Sequence, residues 1–120
     1  MSKSIPDITM DAALDHVAAC TRMDVTSDSG TPANLTNTLA NVAMAGGDFT
    51  KAQGDAGAGS RKVTVAAKSA VTVTGSGDPL HVVLSLTSVI RCITTCTGPT
   101  LSGSGTVDFP AWDYEIGIPT

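Results

Sequence analysis

From Arg61 onward, apolar and polar side chains change places almost residue by residue, and a period of two can be satisfied only by extended chain with one face turned inward. Val63 and Val65 flank Thr64, and Val71 and Val73 alternate with Thr72 and Thr74, with a turn expected at Lys68-Ser69. The run Gly75-Ser76-Gly77-Asp78-Pro79 reads as a turn. Leu80 to Leu86 follows, with Leu80, Val82, Leu84 and Leu86 on one face and an apolar Val83 on the other, the pattern of a central strand. A tight Thr87-Ser88 connection then predicts a hairpin with Val89 to Thr95. After a loop from Thr97 to Gly105, Thr106 to Phe109 and Trp112 to Ile118 form the last strand or strand pair, interrupted at Pro110 by an edge, a bulge or a bend.

The first sixty residues are less regular. Met10, Ala13, Leu14, Val17 and Ala18 recur at helical spacing, which predicts one amphipathic helix over residues 7–20, capped by Asp7 or Thr9. Arg22, Asp24 and Thr26 alternate with Met23 and Val25, a strand with one wet and one buried face. Ser27 to Asn37 is loop, and Leu39 to Met44 leans towards strand. Residues 46–60 carry Gly46, Gly47, Gly54, Gly57 and Gly59 and are expected to form a long, mobile, exposed excursion.

Together these elements predict one domain over residues 1–120: an N-terminal amphipathic helix and a mainly β module, 21–118, built as a small β-sandwich or barrel. Apolar residues make up 42 % of the chain but aromatic ones only 3 %, so Val, Leu, Ile, Met and Ala must fill the core. Small side chains bury little area each, and association with neighbouring copies or another protein would add to stability.

Charge excludes further classes. Seven basic and eleven acidic residues leave a net charge of -4, and Arg61-Lys62 is the one adjacent basic pair, whereas a nucleic-acid groove needs a basic stripe interleaved with aromatics. No stretch is apolar for the roughly 18 to 20 residues of a membrane span. The start, Met-Ser-Lys-Ser-Ile-Pro, lacks a signal peptide's apolar run, so synthesis in the cytosol is expected.

Each candidate for chemistry has a plainer explanation. His16 sits beside the helix's apolar stripe and reads as a surface residue; His81, between Leu80 and Val82, reads as facing solvent or a subunit seam. Asp113 and Glu115 share a strand face, their side chains roughly 7 Å apart, within the about 5 to 9.5 Å of a glycosidase pair. Alternation with Trp112, Tyr114 and Ile116 pointing inward explains them without chemistry. Cys92 and Cys96 would lie about 13 Å apart along a strand, too far for a disulfide. Buried thiols are expected for them, with cross-linking between subunits, Cys20 included, as the lesser alternative. Asp48 and Asp55 match no calcium loop, and Gly54 to Lys62 contains no phosphate-loop motif. The expected catalytic, cofactor and metal sites are therefore none.

Five short pieces, Thr21 to Val25, Gly47 to Lys51, Gly59 to Val65, Thr94 to Cys96 and Phe109 to Asp113, resemble in this order small virion-associated structural proteins of tailed bacteriophages. The sequence departs from that pattern at Leu80 to Arg91, where Ser85-Leu86-Thr87-Ser88 replaces a Gly or Asp turn and leaves the turn type open. The resemblance implies a place in the particle, assembled in the host cytoplasm. A capsid decoration or cement protein that binds the major capsid protein lattice is expected first, acting as a homo-oligomer, by analogy a trimer. A neck, tail or fibre-base component is the alternative. A host-surface or glycan-binding module ranks below both, because Trp112, Tyr114, Phe49 and Phe109 are the few rings available to stack on a sugar and the first two are expected in the core.

Overall fold

The computed structural model describes residues 5–30 and 32–117. In chain order it contains helix α1 (Asp7–Ala18), strands β1 (Arg22–Thr26) and β2 (Thr38–Ala43), a 3-10 turn (Gly46–Asp48), and strands β3 (Phe49–Gln53), β4 (Arg61–Val65), β5 (Lys68–Thr72), β6 (Ser76–Gly77), β7 (His81–Leu86), β8 (Val89–Thr95), β9 (Leu101–Ser102), β10 (Thr106–Phe109) and β11 (Trp112–Ile116). The chain is mainly β with one N-terminal helix, a sandwich-like arrangement of antiparallel sheets.

One layer is the antiparallel sheet β2-β1-β7-β8, and the other is β11-β4-β3. Two strands that bend together join them. β4 pairs with β11 from Arg61↔Ile116 to Val65↔Trp112, and after the bend the same two chain segments continue as β5 and β10, paired from Lys68↔Phe109 to Thr72↔Thr106. Beyond the bend, Val73 bridges to Ala40 of β2 and so reaches the first layer. The break at Pro110 is thus a bend. It is matched by Ala66-Ala67 on the partner segment, and the turn expected at Lys68-Ser69 lies inside β5 instead.

Cross-strand rows build the core. Met23, Leu84 and Cys92 stand opposite one another on β1, β7 and β8, all buried, and meet Val63 and Val65 of β4, Val71, Phe109, and Leu14 and Val17 of α1. Among the described residues, Phe109 is the one aromatic side chain in the buried apolar set. As expected, β7 is a central strand joined to β8 by Thr87-Ser88. Both linking residues have positive φ, 47° and 66°, the left-handed conformation that a two-residue type I′ turn requires at both positions.

Several expectations need correction. α1 ends at Ala18, because the chain must turn for Cys20 to enter the core and for Thr21 to donate to Ser85 at the mouth of β1. No side chain caps its start; the Pro6 carbonyl accepts the amide protons of Thr9 and Met10 at 3.0 and 3.2 Å. At the other end Arg91 Nη1 donates to the His16 carbonyl at 2.8 Å. The Gly-rich excursion 46–60 is largely ordered: Phe49 to Gln53, between its glycines, form β3 against β4, leaving Gly54 to Ser60 as the hairpin loop. The presumed turn 75–79 and loop 97–105 contribute β6 and β9, which pair with each other. The face of β1 expected to be wet is open only at Arg22: Asp24 is fully buried, accepting Arg22 Nε, Arg22 Nη2 and Thr38 Oγ1, each at 2.7 Å, and Thr26 is buried as well. Tyr114, expected inward, is 41 % exposed, since β11 is an outermost strand and its inner row is covered from one side only. Ile118, the expected end of the last strand, lies outside the described residues.

Candidate functional site

The row that follows Met23, Leu84 and Cys92 along the first layer is Val25, Val82 and Thr94, and here the two layers do not close on each other. An apolar hollow of about 270 Å³ separates this row from Val107, Phe109 and Trp112 at the β10–β11 bend. Cys96, Gly98 and Pro99, just past β8, with Pro79 and Pro110, complete its walls. α1 packs against β8, β4 and β3 and so plugs one stretch of the seam between the edge of the first layer and the second. The hollow is the stretch beyond, along the C-terminal end of β8.

Its polar groups are few. Asp108, at the rim, uses one carboxylate oxygen to accept the Ala70 amide at 2.8 Å. The Trp112 indole N–H is buried and has no acceptor among the described residues. Cys96 is a half-buried free thiol in the wall, held protonated by burial, which raises its pKa. Such a site offers shape and apolar contact rather than acid, base or nucleophile.

The side chains weighed from the sequence are distributed elsewhere. His16 is exposed on α1, as expected. His81 is half-buried and engaged, its Nδ1 3.0 Å from the Asp28 carbonyl oxygen, a tie to the loop after β1. Asp113 and Glu115 share a face but serve different partners. Asp113 accepts Thr64 Oγ1 at 2.7 Å and Lys62 at 3.4 Å, and these contacts, the threonine first, hold its carboxyl below the usual range. Glu115 accepts the Asp55 amide and lies against Gly54 and Ser60, fastening the hairpin loop. Asp48 pairs with Lys68 at 2.9 Å and accepts the Ala45 amide, both of which lower its pKa. Asp55 pairs with Lys62 at 2.8 Å. Cys20 and Cys92 lie free in the common core, and burial, with the Cys20 thiol adding to it, pushes the Cys92 thiol up to about 11. Among the described residues, no three His, Cys, Asp or Glu side chains gather to hold a metal ion, and no helix is long and apolar enough to cross a membrane.

Sequence reasoning missed the hollow because stretches far apart in the chain line it. The signal that could have found it is the register Val25↔Val82↔Thr94, which requires knowing which strands are neighbours. In comparisons with known proteins, no family model, no curated protein and no solved structure matches the chain.

Proposed function

We propose that the chain is a structural module of a tailed-phage virion, a capsid decoration or cement protein that binds the assembled major capsid protein lattice and stabilises it. The observation that carries this reading is the open apolar seam beside an unpaired sheet edge, a surface suited to another polypeptide. The resemblance of its short pieces to virion-associated proteins supports this reading, and a core with a single buried aromatic residue among the described residues fits a module that gains stability on assembly. Ile5, Ile8, Val89 and Tyr114 add exposed apolar surface for contacts between copies. In this role the protein has no catalytic step, cofactor or nucleic-acid partner.

The test is biochemical. Purified particles should contain the protein in a fixed ratio to the coat protein, and shells lacking it should disassemble at lower temperature than complete ones. A copy number matching a single neck or tail ring would move the module to that place in the particle.

A further inference from the structure

The sheet edge beside the hollow carries a more specific message. β8 is the outermost strand of the first layer, and Cys96 N donates to Leu80 O at 3.0 Å. Alternation along an antiparallel ladder then turns the backbone N–H and C=O of Ile93 and Thr95 away from β7, towards the open side. Those groups are a template for one more strand. A residue of such a strand placed opposite Thr94 would share its face, because directly opposed side chains lie on the same side of a sheet. That face is the wall of the hollow, with Val82 beside Thr94 and Trp112 across from it.

The other outermost strands lack this pairing of edge and cavity. β2 is partly covered on its outer edge, where Val73 bridges to Ala40 and the Thr74 and Gly75 amides donate to the Leu39 carbonyl. β3 carries Lys51, which is paired with Asp15 of α1, and β11 carries Asp113 and Glu115, charges that discourage strand addition. Along β8 the one charged side chain, Arg91, is turned to the helix end. The free C-terminal stretch, Ile93 to Thr95, is uncharged.

We infer that β8 receives an extended segment of a partner protein as an added antiparallel strand, with one large aliphatic side chain of that segment seated in the hollow. Backbone hydrogen bonds to Ile93 and Thr95 supply affinity, and the hollow selects the side chain. The inference rests on the chain being a docking module and names its docking surface, but it does not depend on the virion. Particle stoichiometry and the experiment below can therefore fail separately.

The experiment titrates the ¹⁵N-labelled full chain with three blocked peptides: Lys-Thr-Leu-Thr-Lys, the same peptide with Asp in place of Leu, and the Leu peptide N-methylated at both Thr residues. The Leu peptide should shift the amide signals of Ile93, Thr95 and Cys96 and the Trp112 indole signal. Binding should weaken by about tenfold or more with the Asp peptide and likewise with the N-methylated one, which keeps the side chain but loses strand hydrogen bonds. Equal binding of the N-methylated peptide would reduce the hollow to a site for small apolar molecules and overturn the inference. So would shifts centred on Ile8 or Tyr114, or no shift at millimolar peptide.

Discussion

Thr87 and Ser88 hold a left-handed backbone that threonine and serine tolerate poorly, and they do so because only that turn matches the twist of β7 and β8. Replacing the pair by Asn-Gly should raise stability by about 1 kcal/mol, read as a higher denaturant midpoint with an unchanged slope. The buried Asp24 presents the reverse case. Its carboxylate joins Arg22 and Thr38, so Asp24→Ala leaves three donor groups without their acceptor and should cost about 2 kcal/mol, measured in the same way. Cys92 sets an alkaline limit. Its folded pKa of about 11 lies above the ordinary thiol value of 9.0, so the unfolded chain ionises first and stability falls as pH rises from about 9 to 11. Cys92→Ala should flatten that part of the stability profile, whatever its effect at neutral pH.

The hairpin between β3 and β4 depends on a close approach rather than on its many glycines. A Cβ on Gly54 would lie 2.5 Å from Ser60 Oγ and 2.6 Å from Glu115 Oε1. Gly54→Ala should therefore cost about 1 to 3 kcal/mol, and less in a Glu115→Ala background, where the opposing carboxylate is gone; a thermodynamic cycle of the four proteins checks this. At this scale much was legible. Alternation predicted β1, β4, β7, β8 and β10, because one side of each had to be apolar to reach the core. β3 was hidden because glycines on both sides outweigh five residues whose burial is slight, and its identity comes from pairing with β4. The cover over Asp24 was hidden for a related reason. Period shows which residues share a face, whereas neighbours decide whether that face is wet.

For the molecule as a whole, the helix and the bent strand pair determine which part of the seam is sealed. Arg61 on β4 holds Asp11 on α1 through two contacts of 2.8 and 3.2 Å, fixing the helix over one stretch. The bend at Ala66-Ala67 and Pro110 carries Trp112 and Phe109 away from β8 along the other. The candidate site was for that reason beyond the reach of motif and spacing: its walls come together only when both layers are in place. What the residues did convey was a core filled by Val, Leu and Met with little aromatic content.

The most direct measurement is the copy number of the protein in purified virions, by quantitative mass spectrometry against the coat protein. A fixed stoichiometric ratio to the coat lattice, with shells that come apart sooner when the protein is left out, is the predicted result. Virions free of the protein would contradict the account.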